Sequence, residues 1–380
     1  MPNTIKILYI YSLISALLIS CGPKPTEEDE AAVGEPTSTP GEESPVTPIL
    51  LPADPGNSNS ADATPPPAAP SNPQPPVASV FVASNILRAI SYYTKEGVYL
   101  GYIDLSNYLA TGSITSLTFF SKDILIATAD PGAAGEKLIR IDLSGNGVSS
   151  INMNWYQDAS NINATVVPRV VKWSNSKLLA VKQSTMIEGI SYNMGANLVA
   201  RLGAPFINTG LTGTATCNNT LLQYATPVSF NGVTKLMTLS SGVNARLNLI
   251  AGIDSAPTCN ASVNYVAGSI TAGHIPTGSV QMADGFVYVR YQFTSAPAIV
   301  RYAYDGNTFT SPTVVYNDSG FLNATTSDRE LMALDSSHVL FSNWSQDSVL
   351  KLNLSTSETS IFARNIFTTD VTSIALRPVQ

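Results

Sequence analysis

Side chains able to make or break covalent bonds are scarce in this chain: three cysteines, Cys21, Cys217 and Cys259, and two histidines, His274 and His338, among 380 residues. A histidine acts as a general base only with a nucleophile or substrate within hydrogen-bond reach. Both histidines stand in turn-rich stretches, and no nucleophile is set beside either. No G-x-S-x-G, H-E-x-x-H, Walker loop or EF-hand loop is present. Gly132-Ala-Ala-Gly-Glu-Lys137 has a phosphate-loop flavour, but its spacing is wrong and no Ser or Thr follows Lys137, so it reads as a turn between strands. Cys217 and Cys259 have no neighbouring histidine and fall short of a zinc site. The reading therefore assigns no catalytic residue and no metal, and it leans away from an enzyme.

Charge narrows the classes further. Only 12% of residues are charged and the net charge is -7, with no Lys/Arg cluster. The counterion-release driving force for DNA or RNA is missing. The acidity is also local: residues 21–77 carry Lys24 against nine acids, whereas 78–380 holds eighteen residues of each sign.

The elements that would position a site begin at the N-terminus. Lys6 precedes the apolar run 7–20, which is shorter than the roughly 20 residues of a spanning helix and has the form of a signal peptide. The run ends in Leu18-Ile19-Ser20-Cys21, which resembles the lipobox cut by the bacterial lipoprotein signal peptidase. In that family the cysteine thiol is diacylated and the new amino group acylated, because only a thiol at that position can form the thioether. The resemblance implies a signal peptide over 1–20, a covalent lipid on Cys21 as the sole attached group, and a membrane-anchored protein of the bacterial cell envelope. Gly22 after the cysteine matches the enterobacterial rule for outer-membrane sorting, with a periplasmic or surface-exposed core. With Cys21 taken by lipid in an exported protein, Cys217 and Cys259 remain as an even pair and are expected to form a disulfide. Residues 21–77 read as a disordered tether: fifteen prolines fall between Gly22 and Pro76, including Pro65-Pro66-Pro67 and Pro73-Gln-Pro-Pro76.

Residues 78–380 show strand signals throughout and no convincing helix. One unit recurs: a short apolar strand, a loop, then an apolar pair leading to Arg or Lys. It appears as Val80-Phe-Val-Ala with Ile86-Leu-Arg-Ala, Ile124-Leu-Ile-Ala with Leu138-Ile-Arg-Ile, Phe286-Val-Tyr-Val with Ile299-Val-Arg-Tyr, and Val339-Leu-Phe-Ser with Val349-Leu-Lys-Leu. Weaker copies start at Leu178 and Leu221. The starts at 80, 124, 178, 221, 286 and 339 have the period of a four-stranded propeller blade. Val371-Thr-Ser-Ile-Ala-Leu376 also matches Ile114-Thr-Ser-Leu-Thr-Phe119 position by position. The economical expectation is that the C-terminal strand joins the N-terminal blade as its innermost strand and closes the ring. The core thus resembles a six-bladed β-propeller of the broad NHL-like, TolB-like and gluconolactonase-like kind. The all-β alternative is a β-sandwich pair or another all-β repeat.

Propeller geometry places the loops between second and third strands on the same rim as the blade-to-blade connections. Trp155 and Tyr156 are expected in a blade-to-blade stretch, Tyr192 and Trp344 in second-to-third-strand loops. Such rings give large contact area with a polar handle, as a partner or sugar platform requires. The opposite rim, with Ser121-Lys-Asp123 and Ser174-Asn-Ser176, is expected to carry short polar turns and little contact area. The expected function is binding or scaffolding of a protein or glycan partner in the envelope by a monomeric core. The alternative is a propeller hydrolase or lactonase with a metal in the central channel, as in the gluconolactonase-like proteins.

Overall fold

The computed structural model describes residues 78–84, 88–109, 112–130, 137–144, 147–150, 169–182, 186–195, 198–201, 211–217, 222–240, 246–264, 275–292, 298–317, 330–343, 348–364 and 371–378. The chain divides into two units, Met1–Pro70 and Ser71–Gln380, and every described residue belongs to the second. Among these residues all regular structure is strand.

Six antiparallel four-stranded sheets follow one another along the chain. Blade 1 contains β1 (Val80–Ser84), β2 (Ala89–Tyr93) and β3 (Tyr99–Asp104). Blade 2 is β4 (Ser113–Ser121), β5 (Ile124–Asp130), β6 (Lys137–Asp142) and β7 (Gly147–Ser150). Blade 3 is β8 (Arg169–Lys172), β9 (Lys177–Lys182), β10 (Met186–Asn193) and β11 (Leu198–Arg201). A small hairpin, β12 (Leu211–Thr212) and β13 (Thr216–Cys217), leads to blade 4: β14 (Leu222–Phe230), β15 (Val233–Ser240), β16 (Arg246–Ala251) and β17 (Thr258–Asn264). Blade 5 is β18 (Ile275–Gln281), β19 (Val287–Gln292), β20 (Ala298–Tyr304) and β21 (Phe309–Asn317). Blade 6 is β22 (Leu331–Ala333), β23 (His338–Asn343), β24 (Ser348–Asn353) and β25 (Thr359–Arg364). The last strand, β26 (Val371–Leu376), returns to pair with β1 in the order β26-β1-β2-β3.

The first strands of neighbouring blades touch in a closed circuit, β4 to β8, β14, β18, β22, β26 and back to β4. The chain is a six-bladed β-propeller. The match between 371–376 and 114–119 reflects a shared place, since β26 and β4 are the innermost strands of adjacent blades. Closure by β26 removes the sheet edge that β1 would otherwise expose.

Why the second strands read as unbroken apolar runs is now evident. Each blade packs on both faces, so alternate residues of one strand serve two seams. Phe81 and Ala83 enter the cluster shared with blade 2, and Val80 and Val82 the cluster shared with blade 6. Six such clusters exist, one at each seam.

The repeat register needs one correction. Second strands start at 80, 124, 177, 233, 287 and 338, at intervals of 44, 53, 56, 54 and 51 residues. The copy taken to start at Leu221 is instead the first strand, β14. Its second strand, β15, begins with exposed Val233 and Thr234, which hides the apolar signature.

Cys217 and Cys259 are joined, with their Cα atoms 5.5 Å apart. Both are fully buried at the seam of blades 3 and 4. The bond pins the β12–β13 hairpin onto β17, where Thr214 Oγ1 donates to the Asn260 carbonyl at 2.7 Å. The hairpin thereby covers the outer edge of blade 4. Cross-linking residues 42 apart constrains the unfolded chain by about 4 kcal/mol in the chain-entropy model. The Cys217→Ser/Cys259→Ser variant is expected to lose stability of that order in denaturant titration while keeping its strand content. An unchanged midpoint would contradict this.

Candidate functional site

First strands all run in one direction, which defines two rims. The upper rim carries the starts of first and third strands, and hence the connections between blades. The lower rim carries the turns between first and second and between third and fourth strands. At the upper end of the channel four side chains from four blades converge. Arg169 opens β8 of blade 3 and Glu330 stands just before β22 of blade 6, three steps apart on a ring of six. They are therefore diametrically opposed, yet Arg169 Nη1 donates to Glu330 Oε1 at 2.8 Å. The pair spans the axis.

Two further blades, again opposed, complete the arrangement. Tyr224 of β14 donates its hydroxyl to Glu330 Oε2 at 2.9 Å, and Ser373 of β26 donates to Glu330 Oε1 at 2.9 Å. The Ser373 Oγ in turn accepts the backbone N–H of Leu117, on β4, at 2.9 Å. Blade 5 contributes by having no side chain: a Cβ at Gly278 on β18 would meet the Glu330 backbone at 2.9 Å. Three innermost strands thus bond this carboxylate directly, β4 reaches it through Ser373, and β18 packs on the Glu330 backbone.

Electrostatics at this point are those of a buried, compensated pair. Glu330 is 2% exposed and Arg169 is also buried. Burial pushes the Glu330 carboxyl above the usual range, opposed by the Arg169 charge and the Tyr224 and Ser373 hydroxyls. Burial, then the Glu330 charge, raises the Tyr224 phenol and keeps it a neutral donor. Arg169 Nη2 has no acceptor among the described residues. The guanidinium instead lies over the Tyr224 ring, 4.7 Å from its centroid, where the ring face attracts a cation. Chemically the group is a clasp: the carboxylate already accepts three hydrogen bonds, and no group of three or more metal-ligating His, Cys, Asp or Glu occurs among the described residues.

The residues singled out from the sequence fare differently. Trp155 and Tyr156 fall between β7 and β8, and Trp344 between β23 and β24; all three lie outside the described residues, as do Cys21 and His274. Tyr192 is described and departs from expectation. It lies inside β10, not in a second-to-third-strand loop, at the end leading to the lower rim. Its ring is 4% exposed and stands edge-on to Phe120, 4.9 Å between centroids, in the seam of blades 2 and 3. An aromatic with a long apolar body is drawn into a seam that strand packing leaves open. His338 opens β23, and its Nδ1 lies 3.0 Å from Asp335 Oδ1 in the preceding turn. Burial tends to raise the Asp335 carboxyl, but the Ser337 N–H and His338 hold it down at about 2. Gly132–Glu136 fall between β5 and β6, outside the described residues.

No family model matches the chain, and no curated protein matches it. Among solved structures it is similar to a chain of a nidogen/laminin complex, at 13% identity and TM-score 0.54, covering 80% of this chain and 100% of that one. It is also similar to a proposed 6-phosphogluconolactonase from Bacteroides uniformis, at 12% identity and TM-score 0.48, over 75% of this chain and 81% of that one. An auxiliary nutrient binding protein from Bacteroides thetaiotaomicron has 11% identity and TM-score 0.45, over 75% and 64%. The first of these likenesses, at 13% identity, speaks for the fold alone.

Removing one partner of a buried ion pair leaves the other charge uncompensated and typically costs about 3–5 kcal/mol, whereas replacing both with apolar residues can be nearly neutral. Arg169→Met and Glu330→Leu are each expected to destabilise by that amount, and the double variant by clearly less than their sum. Additive losses in the double-mutant cycle would show that the two groups do not depend on each other.

Proposed function

We propose that this chain is a lipid-anchored cell-envelope lipoprotein whose propeller is a binding or scaffolding module. Cys21 carries the lipid, residues 21–77 are the tether, and the upper rim engages a protein or glycan partner. The observation that favours binding over a metal-dependent hydrolase is the state of the channel carboxylate. Glu330 is neutralised by Arg169 and its oxygens accept from Tyr224 and Ser373, so it is neither a free base nor a free metal ligand. A carboxylate poised for catalysis would need an open coordination or proton-transfer position.

The upper rim is the better candidate face because the long connections sit there. The segments 151–168, 202–210 and 318–329 join or enter blades on this side, and loops displayed on a rigid scaffold are where recognition concentrates. Trp155, Tyr156 and Trp344, outside the described residues, are the proposed contacts. Tyr192 leaves the proposed contact set.

Two experiments test the reading. Cys21→Ala is expected to abolish palmitate labelling and to release the protein from the membrane fraction; continued labelling would overturn the anchor. Trp155→Ala with Trp344→Ala is expected to weaken recovery of a crosslinked envelope partner roughly thirtyfold in affinity, with little change in melting temperature. Normal recovery with an early-melting variant would mean that these rings pack into the fold and the binding face lies elsewhere. Metal analysis of the purified protein separates the enzyme alternative, which requires a stoichiometric divalent ion.

A further inference from the structure

The lower rim was expected to offer short polar turns and little else. Its turns are short, but five of the seven large apolar side chains exposed among the described residues stand on it: Val98, Tyr99, Met194, Phe230 and Val233. The other two, Tyr102 and Ile361, lie on the outermost strands β3 and β25. The five are displayed by tight structures. Phe230 and Val233 face each other across a two-residue turn in which Asn231 and Gly232 take φ of 49° and 78°, the left-handed pair that a type I′ hairpin requires. Phe230 is braced edge-on against Tyr304, 6.0 Å between centroids, while Val233 remains 58% exposed. Val98 and Tyr99 leave the turn after β2, whose close approach to the Phe362 carbonyl only Gly97 allows. Met194 caps the turn after β10.

These tips belong to blades 1, 3 and 4, so they are spread around one face and separated by polar turns. A protein partner buries a contiguous apolar patch with a polar rim; isolated tips around a flat face suit a fluid surface that closes around each. The start of β1 also lies on this rim. Ala78 precedes Ser79, whose N–H donates to the Tyr93 carbonyl, one turn away from Val98 and Tyr99. Charge makes no basic patch: the rim carries Lys95, Lys122, Lys177, Lys235 and Arg377 against Glu96, Asp123, Asp254, Asp284, Asp305, Asp335 and Glu358, with Asp254 held by Trp173 and Lys177 and with Asp305 and Asp335 held by their own turns.

We propose that the lower rim rests on a lipid bilayer, with Val98, Tyr99, Met194, Phe230 and Val233 at headgroup depth. Tyrosine and small apolar tips partition into that layer without spanning it. Contact by apolar tips without a basic patch predicts binding to zwitterionic lipid that salt hardly changes. The proposal rests on the anchor reading only for delivery of the propeller to the membrane.

The test uses the full chain on phosphatidylcholine vesicles. With Cys21 acylated and Cys217 bonded to Cys259, a cysteine introduced as Val233→Cys, or on the upper rim as Arg364→Cys, is the one thiol free for a fluorescent label. Brominated phosphatidylcholine is expected to quench the label at 233 at least about threefold more than the label at 364, equally in low and high salt. Adding Phe230→Ser, Tyr99→Ser and Met194→Ser should remove that difference while the protein stays vesicle-bound through Cys21. Vesicle-bound protein whose label at 233 remains in water overturns the proposal and leaves the anchor standing. Protein that fails to bind vesicles at all overturns both. Quenching that disappears in high salt, or a blue shift that grows with protein concentration without lipid, assigns the rim to electrostatic docking or to a second copy and likewise overturns it.

Discussion

One carboxylate constrains the whole molecule. Glu330 is buried at the upper end of the channel, where an unpaired charge would cost several kcal/mol. Its ionised form is tolerable only while Arg169, Tyr224 and Ser373 are all in place. Those groups come from β8, β14 and β26, far apart in sequence, and Ser373 holds its position partly through the Leu117 N–H of β4. The closing strand is therefore fastened twice, by its ladder with β1 and by a hydrogen bond at the axis. Ring closure by β26 and hydrogen bonding of the axial carboxylate thus share one residue, Ser373.

Around that clasp the seams divide the labour. Apolar clusters between every pair of blades supply the bulk of burial, roughly in proportion to the area removed from water. The disulfide does a different job at the seam of blades 3 and 4, fixing a hairpin over an outer edge that is otherwise open to pairing. The axis is closed by side chains and the hairpin covers one outer edge. The upper rim bears the long connections and the lower rim bears short turns with exposed apolar tips.

Much of the fold was legible because two-faced burial writes unbroken apolar runs into second strands, and five of the six were located from such runs. The sixth was missed because Val233-Thr-Lys opens β15 with exposed side chains, while Leu222 at the start of β14 is buried like a second-strand residue. A local signal for the ends of third strands lies in the turns of blades 2, 5 and 6. Asp142 and Asn353 each end a third strand, Asp305 directly follows one, and each accepts the N–H two residues on, a recurrent Asx turn. The disulfide was legible as well. The axial clasp was not: Arg169 and Glu330 are separated by 161 positions and neither carries a flanking motif. Tyr192 was misplaced because sequence gives an aromatic residue near a turn no sign of whether it faces solvent or the seam behind it.

Native-state hydrogen exchange on the wild-type chain and on Glu330→Gln tests the central claim most directly. If the carboxylate ties the six inner strands together, the amides of β4, β8, β14, β18, β22 and β26, with Leu117 foremost, will lose protection together in the variant. The outer strands will change less. Loss of protection confined to β22 and its immediate neighbours would contradict the account, because the propeller would then be held by its seams alone.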